Sequence, residues 1–267
     1  MARYVIDIGY KGSRYCGSAV QPETKTVQGT VQEVFGKILR ADIFCYFAGR
    51  TDGGVHALKM PAHFDFDGDL PRKFVFAANR LLPHDIAVEN VRVPVSSEFN
   101  ARFDAVSRTY EYSIARKKNP LTSDLSWLYH KDLDVKSMAE AVKILFEFDS
   151  FESFCKKGGN NTTCFCRILE SSLREETDLL IYRVSADRFL RGMVRAIVGT
   201  ILEVGKGHLS VPGFREVIAK KDRNAAGNSV AAEGLVLINV AYRDGTLFPY
   251  EGWIDPVRGT PGFDTGP

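Results

Sequence analysis

The sequence predicts an α+β protein in which two halves of similar layout carry antiparallel sheets. Strand-like and helix-like segments alternate along the chain, and the same order of segments occurs twice. Of the 267 residues, 45% are hydrophobic, which suits one large globular domain or two modest ones. No apolar run reaches the roughly 18 residues that suggest a membrane span. The first residues read as a strand rather than as a signal or transit peptide.

The first half begins with a strand over residues 3–10, which is rich in β-branched and aromatic residues. Thr26 then caps an amphipathic helix whose apolar side chains recur at helical spacing. The later elements are a strand at 44–48, a strand at 60–66, a helix at about 70–81 and a strand at 86–93. This βαββαβ order is the ferredoxin-like (RRM-like) motif.

The second half repeats this order more loosely. Alternation around Tyr110 predicts a strand, and Ser137 begins a helix. Asp187 is expected to cap a helix. The other predicted elements are a hairpin at 168–174 and 179–186, the helix 188–204 after Asp187, a short helix from Pro212 and a strand at 235–242.

The order of elements predicts two domains, residues 1–105 and 106–245, whose antiparallel sheets meet at a central cleft. No internal sequence repeat supports a duplication, so the division rests on element order alone. Residues 246–267 are rich in proline and glycine and lack periodicity. We therefore expect them to form a flexible tail.

The most informative segment is residues 49–57, Gly-Arg-Thr-Asp-Gly-Gly-Val-His-Ala. Asp52 lies in a turn between two apolar runs, and Gly53 and Gly54 permit backbone angles that other residues resist. Most aspartates in such turns only bind their own backbone, although loops also carry many functional sites. The local pattern alone leaves a structural and a catalytic aspartate open.

Charge and cysteine patterns bear on function as well. The net charge is only +2, but basic residues cluster at 108–118 and 183–195, which suits a groove that meets phosphate on one side. The five cysteines and five histidines have no metal-ligand spacing. We therefore predict free thiols in a reducing compartment and no metal site.

Three arginines are predicted to form a stripe on the helix 188–204. Arg188, Arg191 and Arg195 recur at i, i+3 and i+7 beside an apolar surface, so at least one guanidinium should lie near the buried edge. A solvated basic face is the common alternative. Tyr110 and Leu235 would, from local pattern alone, be a core tyrosine and a core leucine.

Several segments resemble, in order, blocks of the tRNA pseudouridine synthase A family. The segment 49–57 is similar to the family signature, with Gly53 in place of the usual alanine. Together the similar segments span about residues 3–243. The others are Thr26-Val27-Gln28-Gly29, Ala101-Arg102-Phe103, Arg108-Thr109-Tyr110-Glu111-Tyr112, Phe189-Leu190-Arg191-Gly192-Met193-Val194-Arg195 and Ala232-Glu233-Gly234-Leu235.

The resemblance implies a cytoplasmic enzyme that isomerises uridine to pseudouridine in the tRNA anticodon stem-loop, at positions 38 to 40 of the tRNA. It implies no cofactor or metal, and a homodimer whose subunits share one tRNA. Asp52 would be the nucleophile, and Arg195 its partner, because a carboxylate in a dry pocket needs an opposing charge to stay ionised. Tyr110 would stack on the target base and take its C5 proton.

The resemblance also implies roles in substrate binding. Leu235 would pack on the other face of the base. Arg50 would fill the space left by the flipped nucleotide or hold a phosphate. Arg188 and Arg191 would face phosphate or water.

Two departures and two alternatives qualify this interpretation. Ser18-Ala19 stand where the family usually has Trp-Gln, in a loop that should border the RNA, and Gly192 replaces a bulkier residue. We expect both departures to affect substrate choice or affinity more than chemistry. A catalytically silent RNA-binding paralogue is one alternative. A carboxylate glycosidase or hydrolase is the other, but it would need a second acid, for which Asp104 and Glu98 are weak candidates.

Overall fold

The computed structural model describes residues 1–156 and 163–252. The first half contains β1 (Ala2–Tyr10), α1 (Val27–Leu39), β2 (Tyr46–Phe47), β3 (His56–Phe66), α2 (Phe74–Leu81) and β4 (Ile86–Pro94). The rest contains β5 (Ala105–Ala115), β6 (Trp127–Leu128), α3 (Val135–Ala141), β7 (Ile168–Glu176), β8 (Leu179–Ala186), α4 (Met193–Gly205), α5 (Val211–Ala219), β9 (Leu235–Tyr242) and β10 (Leu247–Pro249).

One large sheet organises this mixed α/β protein. Its strand order is β10-β4-β1-β3-β9-β5-β8-β7, with the two-residue strands β2 and β6 paired to β3 and β5. Neighbouring strands are antiparallel except in the pairs β3–β9 and β5–β6. In the β3–β9 pair, His56 and Ala57 lie opposite Val236 and Leu237. The two sheets expected from the sequence are therefore continuous with each other.

Most predicted elements of the first half are present. Thr26 begins α1, and its Oγ1 accepts a hydrogen bond from the backbone N–H of Gly29 at 3.2 Å. The strand expected at 44–48 is reduced to two residues. The helix expected from about Leu70 begins at Phe74, because the chain first makes a turn in which the Phe74 N–H binds the carbonyl oxygen of Pro71.

The helix predicted at 188–204 begins later than expected. Helix α4 starts at Met193, and its N-cap, Gly192, has a φ of 71° in the left-handed region, where an α-helix cannot continue. Asp187 is not the cap, because its Oδ1 accepts a hydrogen bond from the Arg167 backbone N–H at 2.9 Å. Residues 187–192 therefore form a connecting segment, here called the arginine segment. The prediction that the three arginines form a stripe on one helix was therefore wrong.

The prediction of a flexible tail was also wrong for the first residues of that tail, which form β10. Strand β10 pairs antiparallel with β4, whose outer edge would otherwise offer unpaired backbone groups. Tyr250 then packs its ring against that of Tyr4, with centroids 5.2 Å apart and planes at 80°. Residues 157–162 and 253–267 lie outside the described residues.

Two buried hydrophobic clusters hold the helices against the sheet. The first joins α1 and α2 to β1 and β3 around Phe35, Phe64 and Phe74. The second joins α3, α4 and α5 to β5 and β8. Tyr110 packs against both clusters, so its strand lies at their boundary. None of the helices within residues 1–156 and 163–252 has the length and hydropathy needed to cross a bilayer.

Candidate active site

The Asp52 loop (residues 49–54) connects β2 to β3 and exposes a carboxylate. Gly54 has a φ of 82°, a left-handed conformation that favours glycine. Gly53 does not need this freedom, because its φ is not positive. A Cβ there would also fit, since its nearest neighbour would be Tyr15 O at 3.4 Å. The Val55 N–H closes the turn on the Asp52 carbonyl oxygen at 3.2 Å. The Asp52 side chain remains 35% exposed, so a ligand can reach it.

Thr51, the residue before Asp52, is fixed on three sides. Its backbone N–H donates to Ser18 Oγ at 2.8 Å, and its carbonyl oxygen accepts from the Ser18 N–H at 3.1 Å. Its hydroxyl lies 2.8 Å from the Tyr10 hydroxyl. Ser18 itself is fully buried. It supports the loop from inside, although the sequence placed it at the RNA border; only its departure from the family pattern drew attention to it.

Two arginines oppose the Asp52 carboxylate. Arg195 Nη1 lies 3.5 Å from Oδ2, and Arg191 Nε lies 4.0 Å from Oδ1. Arg195 is the more fixed of the two, because its Nε donates to the Val230 carbonyl oxygen at 2.7 Å. The structure thus brings Arg195 to the place that the sequence predicted. It also brings Arg191 there, which the sequence assigned to phosphate or water.

Tyr110 lies close enough to be influenced by this charge. It is half-buried on β5, and its ring meets that of Phe189 edge-on at a centroid distance of 5.2 Å. Burial raises the pKa of Tyr110 to about 12, the Arg108 charge opposes this rise, and the negative charge of Asp52 adds to it. The hydroxyl therefore keeps its proton at neutral pH.

The other predicted site residues are less closely tied to Asp52. Leu235 is 6% exposed and opens β9 opposite Tyr112, as a core leucine would. Arg50 is exposed and forms no ion pair or hydrogen bond with the described part of the chain. Arg188 is half-buried. Burial raises the pKa of the Cys166 thiol to about 12, and the positive charge of Arg188 opposes that rise.

Some predicted features serve the structure instead. Asp104, a weak candidate for a second acid, accepts a hydrogen bond from the Asn100 N–H at 2.6 Å. Arg183, in one of the basic clusters, pairs with Glu111 and Glu170, each at 3.0 Å, rather than lying free to meet phosphate. Within the described ranges, no three His, Cys, Asp or Glu side chains are grouped as a metal site.

Comparison with known proteins identifies the family of this chain. The family model described as tRNA pseudouridine synthase matches residues 148–243. The tRNA pseudouridine synthase A of Parabacteroides distasonis is 46% identical over 257 residues, which cover 94% of this chain and 100% of the relative. That of Porphyromonas gingivalis is 41% identical, covering 91% and 98%. That of Caldicellulosiruptor saccharolyticus is 36% identical, covering 91% and 100%. The chain therefore belongs to the tRNA pseudouridine synthase A family.

Proposed function

We propose that this chain converts uridine to pseudouridine in the anticodon stem-loop of tRNA, with Asp52 as its nucleophile. The observation that carries the proposal is the Asp52 carboxylate at a loop tip, 3.5 Å from Arg195, with a negative charge that acts on Tyr110. Family membership supports the reaction and the substrate. The geometry supports the residues that perform the reaction.

The reaction exchanges one bond for another without a net change in composition. In the proposed mechanism the Asp52 carboxylate attacks ribose C1′, and the bond to uracil N1 breaks with its electron pair going to the base. The base turns until C5 faces C1′. A C5–C1′ bond then displaces the carboxylate, C5 loses its proton and N1 gains one. Asp52 ends as it began.

Arg195 is proposed to keep Asp52 ionised and correctly aimed. A carboxylate that a docked nucleotide covers would lose solvation and gain a proton unless a positive charge opposed the shift. The hydrogen bond from Arg195 Nε to the Val230 carbonyl oxygen holds the guanidinium in place before substrate arrives. Arg191, with a side chain 57% exposed, adds a second, more mobile charge.

Tyr110 is proposed to stack on the detached base and to relay the C5 proton. Because its pKa of about 12 keeps the phenol protonated at neutral pH, the hydroxyl must pass on its own proton as it accepts another. Asp52, released as a carboxylate in the same step, carries a negative charge that influences Tyr110 and is the proposed acceptor of that proton.

The target base is stacked in its RNA and has to be flipped out to reach Asp52. Arg50, exposed two residues before Asp52, is proposed to occupy the vacated space or to hold a phosphate. Leu235 would pack on the face of the base opposite Tyr110. Arg188 is proposed to bind phosphate. We further propose that the protein acts in the cytoplasm, where its tRNA substrate would be met, and as a homodimer that shares one tRNA.

We also infer that residues 1–105 and 106–245 form two ferredoxin-like halves. Support comes from strand order: β4-β1-β3 with β2 on β3, and β9-β5-β8-β7. Numbered within each half, and leaving out the two-residue strand β6, both follow the order 4-1-3-2 that connects a βαββαβ chain into one antiparallel sheet. Separate expression of the two segments, with folding followed by circular dichroism, would test this boundary.

Mass mapping of pseudouridine tests the function directly. An unmodified tRNA transcript is incubated with the purified protein and derivatised so that pseudouridine gains mass. We expect conversion of uridines in the anticodon stem-loop and of no others. Binding of the transcript without any conversion would instead identify the silent RNA-binding paralogue, and light scattering of the same sample reports whether the protein is a dimer.

A further inference from the structure

Arg108 on β5 binds four main-chain carbonyl oxygens at once. Its Nη1 donates to Asp187 O at 2.7 Å and to Ala105 O at 2.9 Å. Its Nη2 donates to Ala48 O at 3.3 Å and, over a shorter distance, to Arg102 O. No carboxylate forms an ion pair with Arg108 in the described part of the chain. The side chain is half-buried, and burial lowers its pKa.

Two of these carbonyls lie at the start of the two segments that build the site. Ala48 immediately precedes the Asp52 loop, and Asp187 is the first residue of the arginine segment. Asp52 and Arg191 each follow four residues after the carbonyl that Arg108 holds. The two segments come from different halves of the sheet, so the distance between their charges depends on what ties the halves together.

A guanidinium is suited to this task. Its planar fork carries five N–H donors in fixed directions, whereas a lysine ammonium is a single point at the end of a flexible chain. Ala48 is also anchored from its other side, because its N–H donates to Pro61 O on β3 at 2.8 Å. A cation held away from water without a carboxylate is costly to keep, which argues that this one has a use.

We propose that Arg108 is a positioning residue that fixes the spacing between the Asp52 carboxylate and the arginines opposite it. Arg108 itself does not contact Asp52. The inference rests on the proposed function, in which Asp52 is the nucleophile. If the two segments drift by a fraction of an ångström, the ion pair and the attack geometry suffer, while the exposed arginines remain able to bind RNA.

The test compares Arg108→Lys and Arg108→Ala with the control Arg183→Lys. Arg183 is also a half-buried arginine on a strand, but it pairs with Glu111 and Glu170 away from Asp52. We expect Arg108→Lys to lower the single-turnover rate by about 10- to 100-fold, because small misplacements of reacting groups have effects of that size. The Kd for tRNA should change by less than about threefold, and the control should keep its rate.

Chemical rescue separates positioning from general stability. Guanidinium at low millimolar concentration should restore a substantial part of the rate of Arg108→Ala, whereas equal urea or potassium chloride should not. Rates are measured where circular dichroism shows each variant folded. Three outcomes would each overturn the proposal. The first is that guanidinium fails to rescue Arg108→Ala while Arg183→Lys loses as much of its rate as Arg108→Lys does. The others are a normal rate in Arg108→Lys and failure of both Arg108 variants to fold.

An Asp52→Asn sample in the same series keeps the two proposals apart. Full activity of Asp52→Asn would remove the proposed nucleophile, and with it the basis for positioning it. An inactive Asp52→Asn beside a fully active Arg108→Lys would leave the proposed function intact and overturn only the role of Arg108.

Discussion

The Asp52 loop supplies the carboxylate of the site and the arginine segment supplies Arg191, one of its two opposing arginines, yet the two segments are built differently. The turn at Asp52 is defined by neighbours in sequence: Gly54 takes up a left-handed φ of 82°, and Val55 closes the turn on Asp52. The arginine segment is defined by distant partners. The Arg191 carbonyl oxygen accepts from the Lys156 N–H at 3.2 Å, and that of Asp187 accepts from Arg108.

This difference explains why the sequence predicted the shape of the Asp52 loop but not that of the arginine segment. Turn chemistry is local, so the Asp52 loop could be predicted from nine residues. The start of α4 depends on Gly192 and on contacts with residues distant in sequence, so the predicted helix began five residues too early. The carboxylate is therefore encoded locally, whereas the position of its cations is a property of the whole fold. Variants at each end sharpen or break this contrast.

The largest expected effect is at the local end. Asp52→Asn should lower the single-turnover rate by about 10³-fold or more, because the amide is nearly isosteric but is not a nucleophile. Melting temperature and tRNA affinity should stay close to wild type. Turnover retained at a tenth of the wild-type rate would exclude Asp52 as the nucleophile.

Among the arginines opposite Asp52, Arg195 on α4, just after the arginine segment, should have the largest effect: Arg195→Met should impair catalysis more than binding. Losing one partner of a fully buried pair costs about 3–5 kcal/mol, but Arg195 and Asp52 are 24% and 35% exposed, so water screens part of the loss. We expect single-turnover rates about 10- to 100-fold lower, equivalent to about 1.4–2.7 kcal/mol. The measurement is the rate at saturating tRNA.

Arg188→Met is the control for that result: it should keep the rate within about threefold, bind tRNA more weakly and reduce the dependence of affinity on salt by about one unit of slope. Arg191→Met removes the second charge opposite Asp52, so it should weaken tRNA binding and lower the rate by less than Arg195→Met does. If Arg195→Met also loses only affinity, with an unchanged single-turnover rate, the Asp52–Arg195 pair has no catalytic role.

Tyr110 lies between the two ends, and Tyr110→Phe tests whether it takes part. If Tyr110 is a relay, the Tyr110→Phe enzyme should no longer remove the C5 proton, while the retained ring still supports flipping and stacking of the base. As a core tyrosine, it should lose about 1 kcal/mol of stability and no activity. Because its pKa is raised from 10 to about 12, the wild-type rate should be flat between about pH 7 and 9. A tenfold rise per pH unit would indicate a phenolate base instead.

Particular elements show which features of the fold could be predicted from the sequence. The strand at 235–242 and the cap at Thr26 were predicted correctly, since alternation and capping are short-range patterns. Strand β10 was missed because its residues bear no signal apart from the β4 edge they cover. The pairing of β3 with β9 was missed as well, because the two strands are far apart in sequence. Arg183 seemed free because its acidic partners lie on neighbouring strands.

The smallest expected effect is at Ser18, which binds the Asp52 loop although it lies far from that loop in sequence. Ser18→Ala removes the acceptor of the buried Thr51 N–H but leaves the bonds from Ser18 N–H to Thr51 O and between Tyr10 and Thr51. One unsatisfied buried donor costs about 1–3 kcal/mol. At about 2–4 °C per kcal/mol, the melting temperature should fall by a few degrees.

The rate of Ser18→Ala distinguishes loop support from RNA contact. If Ser18 positions the loop, the single-turnover rate should fall by about threefold to tenfold, since Asp52 follows Thr51 directly and gains freedom with it. The tRNA affinity should not change, because Ser18 is fully buried. Exposed Ser13, on the same connection after β1, is the matched control, and Ser13→Ala should alter neither quantity. Weaker tRNA binding by Ser18→Ala at an unchanged rate would return Ser18 to the RNA border that the family pattern first suggested, and the loop would again be a local structure.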